Sequence, residues 1–161
     1  MQIAISEVKN MFNDTENSRW IYGRDGQALA FVIRASYKAD GLEFLTPDSF
    51  GQQIGYMTRP KGEIIQAHVH EEITRTLVGT QEVLIFRSGL VRLDLYERDH
   101  TYVGSTMMNP GDVVLLNKGG HSLEILEEAE IIEIKQGPFA EGKDKTKFPT
   151  PVVDQIVDLF K

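Results

Sequence analysis

The feature that most constrains this chain is a succession of short β-like runs cut by turn residues. The runs cover residues 28–35, 50–58, 63–70, 81–86, 90–96, 102–108, 112–116, 121–125 and 130–135. Between them stand Pro60-Lys61-Gly62, Arg87-Ser88-Gly89, Asn109-Pro110-Gly111 and Lys118-Gly119-Gly120, each suited to a tight turn or a positive φ. In Val91-Arg92-Leu93-Asp94-Leu95 the alternation is clean, so Val91, Leu93 and Leu95 share one face of a strand. Many short strands at this spacing predict an all-β sandwich or barrel. Helical patterning is confined to the ends. Ser6 caps a short helix over 6–12 with Val8, Met11 and Phe12 on one side. Pro149 and Pro151 open a terminal helix whose apolar stripe is Val152, Val153, Ile156, Val157 and Phe160.

A length of 161 residues fits one domain with one core. Acidic residues outnumber basic ones by 24 to 17, a net charge of −7 that works against binding to nucleic acid or an anionic membrane. The first residues lack a basic start followed by an apolar run, and no stretch of about 18 apolar residues occurs, so a cytoplasmic location is expected. There is no cysteine. Disulfides, zinc ribbons and thiol nucleophiles are thereby excluded, and any metal must be held by His, Asp, Glu or backbone oxygen.

The four histidines are His68, His70, His100 and His121. His68 and His70 stand two apart in a β-like run, so both leave the same face of one strand. Two parallel imidazoles make half of a transition-metal site, or else a solvent-facing pair at a strand end. His100 lies in the polar stretch Arg98-Asp99-His100-Thr101 and reads as a solvated turn residue. Glu82 opens another run that closes at Gly89, and Gly111 leads through a run and a turn to His121. Three dispersed elements can thus bring two His, one Glu and a third His together inside a barrel.

These residues resemble the two motifs of the cupin superfamily. Gly62 leads by five residues into His68-Val69-His70, and Glu82 precedes Gly89 by six residues; Gly111, five residues, Asn117-Lys118-Gly119 and His121 follow the second motif. The resemblance spans residues 55–137. It implies a small antiparallel jelly-roll barrel, with a core barrel over about 28–137 and a tail with a terminal helix over 138–161. It also implies a divalent metal (Fe, Mn, Ni, Co or Zn) ligated by His68, His70, Glu82 and His121, and a homodimer paired through barrel edges.

The sequence departs from the family pattern at three places. Eleven residues separate His70 from Glu82 where the family has three or four, Asn117 stands in place of the proline, and one residue rather than two precedes His121. Without an insertion, Thr74 or Arg75 takes the Glu position. With one, residues 76–80 form a bulge or loop beside the site, and Glu82 keeps its spacing to Gly89.

Such a metal can polarise a carbonyl or enediolate oxygen, or activate oxygen if it is iron. Candidate catalytic partners are Gln66, Tyr56 and Arg75. Gln66 shares the parity of the histidine pair, Tyr56 offers a phenolic proton, and Arg75 can clamp an anion. Glu63 is a further barrel candidate; Tyr96 is read either as a proton donor or as packing with a satisfied hydroxyl. Glu124, three after His121, falls on the opposite strand face and reads as a solvated charge. The lysines of 143–147 read as a solvated face or as a dock for a substrate phosphate. Three functions follow. The first is a metal enzyme that isomerises or oxygenates a small polar molecule. The second is a metal-free sugar-nucleotide ketoisomerase or epimerase with His68 or His70 as acid–base. The third is a non-catalytic binding or sensor module for a small ligand.

Overall fold

The computed structural model describes residues 14–138, 142, 144–150 and 156–161, and among these it contains ten strands and no helix. They are β1 (Ser18–Tyr22), β2 (Ala28–Ile33), β3 (Leu42–Phe44), β4 (Gly55–Met57), β5 (Glu82–Ser88), β6 (Val91–Tyr96), β7 (Tyr102–Met108), β8 (Val113–Leu116), β9 (Gly120–Ile125) and β10 (Glu130–Lys135). All strand pairs are antiparallel. The described residues divide into two compact units. One takes those up to Tyr37 and from Thr80 onward, and the other is Lys38–Gly79.

The larger unit holds a five-stranded sheet, β1-β2-β8-β5-β10, and a three-stranded sheet, β7-β6-β9. The alternation in 91–95 does what it predicts. Val91, Leu93 and Leu95 are buried and meet Leu84, Phe86, Val32 and Val114 of the other sheet in one core. On the opposite face of β6, Asp94 is only 1% exposed and needs partners for its charge. Arg92 supplies two hydrogen bonds, Nε to Oδ1 at 2.8 Å and Nη2 to Oδ2 at 3.1 Å. The Ser105 and Ser122 hydroxyls donate to the same carboxylate.

The smaller unit carries the two-stranded sheet β3-β4. The Thr46 hydroxyl accepts from the Ile54 amide at 2.9 Å, and the Thr58 hydroxyl donates to the Ala39 carbonyl at 2.6 Å.

Several expectations need correction. The run over 63–70 is not a strand: among the described residues no strand pairs with it, and the Glu63 amide closes a turn on the Pro60 carbonyl at 3.2 Å. The run over 50–58 shortens to β4. β1 and β3 lie in stretches that the alternation leaves out, so the sheets begin ahead of residue 28. The expected helix over 6–12 lies outside the described residues, as do Val152 and Val153. The rest of the expected terminal helix is not helical. The Ser105 amide donates to the Val157 carbonyl at 2.8 Å and the Leu159 amide to the Ser105 carbonyl at 2.9 Å, a parallel bridge onto β7. A short helix is marginal on its own, whereas the edge of β7 offers unpaired backbone groups to a neighbouring segment. The Arg34 guanidinium, 3.8 Å above the Phe160 ring, and Arg19, which donates to the Leu159 carbonyl at 2.7 Å, fix the tail there.

Candidate metal centre

In β5 the side chains of Glu82, Leu84 and Phe86 fall on one face by the two-residue period, and Leu84 and Phe86 are buried in the core. Glu82 therefore occupies the last interior position at one end of its sheet. In β9 the register sets His121 opposite Leu95 and Leu123 opposite Leu93, so His121 also faces the interior, from the other sheet. The two side chains meet, with His121 Nε2 3.3 Å from Glu82 Oε2. Two residues that the sequence marks as candidate ligands, 39 positions apart, thus converge on one point.

Gly119 sets this register. Its φ is +73°, and a Cβ added there would lie 2.3 Å from the Tyr96 carbonyl oxygen, so only glycine lets the β8–β9 turn rest against β6. Asn117 ties several elements together. Its amide donates to the Ala28 carbonyl at 2.8 Å, and its side-chain oxygen accepts from Gln81 Nε2 at 2.6 Å. The Gln81 amide in turn donates to Gln136 Oε1 at 2.9 Å. The start of β5 is thereby tied to the ends of β8 and β10 and to the start of β2.

Lys135, opposite Glu82 across the β5–β10 pair, brings Nζ to 3.9 Å from Glu82, 3.3 Å from Glu133 and 3.9 Å from Asp144. The hydrogen bond from His121 holds the Glu82 carboxyl below the usual carboxylate range. Burial opposes this, and the charges of His121, Lys135 and Lys145 reinforce it. Glu82 is thus kept ionised, as a metal ligand must be. The sequence reading missed Lys135, Glu133 and Asp144. The alternation Ile131-Ile132-Glu133-Ile134-Lys135, with charge at every second position, was the available signal for the first two.

In the smaller unit, His68 and His70 lie outside any strand and are exposed, with ring centroids 5.1 Å apart and planes at 77°. His68 Nδ1 lies 2.9 Å from the Gln66 carbonyl oxygen. A carbonyl can only accept, so Nδ1 carries a proton, and in the neutral ring Nε2 is then the nitrogen left for a metal. Gln66 itself is exposed; Tyr56 sits on β4 opposite Glu43; Arg75 borders a cleft of about 660 Å³ with Asp48, Ser49 and Gln53. Glu63 accepts from Arg59 at 3.0 Å. Within either unit, no three His, Asp or Glu side chains of the described residues come together as a metal-holding group.

Other readings resolve plainly. Glu124 faces away from His121 and pairs with Arg92 at 2.7 Å. Tyr96 is buried, its hydroxyl 3.1 Å from Ser122 Oγ, which fits packing with a satisfied hydroxyl. His100 is a turn residue with a φ of +73° and stacks on Phe148 at 4.1 Å.

No helix of the described residues is long and apolar enough to cross a membrane. No protein-family model matches the chain, and neither a curated protein nor a solved structure matches it.

Proposed function

We propose that this chain is a cupin-type protein that binds one divalent transition metal through His68, His70, Glu82 and His121. We propose further that it isomerises or oxygenates a small polar molecule. The observation that carries this reading is the approach of His121 Nε2 to within 3.3 Å of Glu82 Oε2 at the interior end of two facing sheets. The donors fit the group. Within one unit Glu82 and His121 are in contact, within the other the His68 and His70 rings lie 5.1 Å apart, and all four offer nitrogen or oxygen donors of the kind that Fe, Mn, Ni, Co or Zn take. The two facing antiparallel sheets are compatible with a jelly roll.

When bound, such an ion supplies Lewis-acid polarisation of a substrate oxygen. The chain's own residues do the rest. The Lys135 ammonium beside Glu82 helps to keep its carboxyl anionic. The contact from Gln66 to His68 fixes which ring nitrogen is free.

A metal-free reading draws on the same contact. A carboxylate 3.3 Å from an imidazole is also an acid–base pair, here Glu82 and His121 rather than the His68–His70 pair that the sequence puts forward. Calorimetric titration of metal-stripped protein with Zn²⁺ and Mn²⁺ separates the two. The proposal expects one site per chain, weakened by at least about tenfold in Glu82→Ala, His121→Ala and His68→Ala. No saturable site in the parent protein overturns it in favour of the metal-free pair.

A further inference from the structure

Glu82 and Lys135 lie at one end of the β5–β10 pair, and His121 reaches Glu82 from the start of β9. A later stretch of the same unit runs from one of these places to the other. At its first end the Asp144 carboxylate stands 3.9 Å from Lys135 Nζ. At its second end the Phe148 ring stacks on the His100 ring, with centroids 4.1 Å apart and planes at 7°, and meets Tyr96 edge-on at 5.3 Å. A Cβ at Gly120 would come within 3.1 Å of the Phe148 ring, so the residue before His121 is the one that leaves room for it. Only four residue steps separate Asp144 from Phe148, at most about 14 Å of extended chain, so the path between the two anchors is direct. It passes the end where Glu82 and His121 meet, and there the Lys145 charge joins those of His121 and Lys135 at Glu82.

What holds this stretch differs from what holds the sheets. Among the described residues, none of 144–150 makes a hydrogen bond, so no ladder ties the backbone down. Lys145, Thr146 and Lys147 are exposed, and the two anchors are side-chain contacts alone, one long ion pair and one aromatic seat. A segment so held opens at far lower cost than the paired strands beside it. The seat also keeps its own backbone in a rare conformation. His100 is the one non-glycine among the described residues with a positive φ, and in that left-handed turn its ring lies flat on Phe148. We infer that residues 144–148 form a strap across the Glu82–His121 end of the two sheets, latched by Phe148 on His100 and Tyr96, and that its release uncovers Lys135 and Glu82. The motion of the strap does not depend on what Glu82 and His121 hold; that it admits a metal and its substrate rests on the metal reading above.

Acetylation of metal-free protein, mapped by mass spectrometry, reads the strap directly, because the half-buried Lys135 amine is one of the groups it covers. Phe148→Ala leaves Asp144 and Lys135 in place and raises the rate of Lys135 acetylation at least about fivefold, while trypsin cuts faster after Lys145 and Lys147. Circular dichroism that stays that of the parent separates release of the strap from loosening of the sheets. Should Phe148→Ala lose its fold, His100→Asn decides. It changes an exposed turn residue, keeps a left-handed backbone that asparagine tolerates, removes the stacked ring, and moves both rates in the same direction. An unchanged Lys135 rate in either folded variant overturns the inference. Faster cleavage after Lys145 and Lys147 without faster acetylation of Lys135 overturns it too, since the strap then opens without covering the site. The metal reading is separated by Zn²⁺ binding. A parent protein that binds Zn²⁺ takes it up faster as Phe148→Ala, at the same stoichiometry, and uptake that is no faster overturns the part of the strap in admitting the ion. A parent that binds no Zn²⁺ but shows the rise at Lys135 leaves the strap standing and removes the metal reading alone.

Discussion

Gly119→Ala tests the link between backbone geometry and the candidate site. Two costs add. A left-handed φ near +73° costs an alanine about 1–2 kcal/mol. The new Cβ would also stand 2.3 Å from the Tyr96 carbonyl oxygen and 3.0 Å from Leu29 Cδ2. Leu29 can turn aside, but Tyr96 is held in β6 against both β7 and β9, so the strands must part at about 1–3 kcal/mol more. The sum is about 2–5 kcal/mol, read as the loss of unfolding free energy in urea. Gly119→Asn divides the two terms. Asparagine tolerates the left-handed conformation but carries the same Cβ, so this variant stays destabilised by at least about 1 kcal/mol. Because Gly120 and His121 follow directly in register with Tyr96 and Leu95, both variants also loosen the His121–Glu82 contact. A Gly119→Asn protein within about 0.5 kcal/mol of the parent would refute the close-approach argument and leave only the backbone term.

Three further outcomes are expected. Glu82→Gln, measured without metal, loses about 1 kcal/mol at pH 7, since a hydrogen bond to a charged acceptor becomes one to a neutral amide. The Glu82 pKa is depressed on folding, so this stability is present above its ordinary 4.5 and lost as pH falls through the lower folded value; parent and variant melting temperatures should converge there. A difference that stays constant from neutral pH down to about pH 3 would refute that assignment. Asp94→Ala strips Arg92, Ser105 and Ser122 of a shared buried acceptor and costs about 3–5 kcal/mol in chemical denaturation, with Asp94→Asn intermediate. Phe160→Ala removes the ring beneath Arg34 and Arg19, costs about 1 kcal/mol in a thermal melt, and speeds proteolysis of residues 156–161; an unchanged cleavage rate would argue against tail docking on β7.

What the sequence made legible was whatever depends on local alternation. β7 and β10 begin and end where their patterns do, and Val91, Leu93 and Leu95 all enter the core. β1 was hidden because Trp20 and Ile21 are adjacent and both buried, which breaks the two-residue period. In 63–70 the alternation is present without the strand, since pairing is a property of the neighbour as much as of the segment. The C-terminal residues show the converse. Ile156, Val157 and Phe160 have helical spacing, but Ser105 on the edge of β7 takes the backbone of Val157 and Leu159 instead. At the site, Glu82 and His121 were legible from motif spacing, whereas Lys135 depends on the register of β10 against β5.

The most direct test of the metal proposal is elemental mass spectrometry of protein purified without a polyhistidine tag or chelator. The proposal predicts close to one iron, manganese, nickel, cobalt or zinc ion per chain, lost in His121→Ala. Less than about a tenth of an ion per chain, unchanged after incubation with each metal, would contradict it.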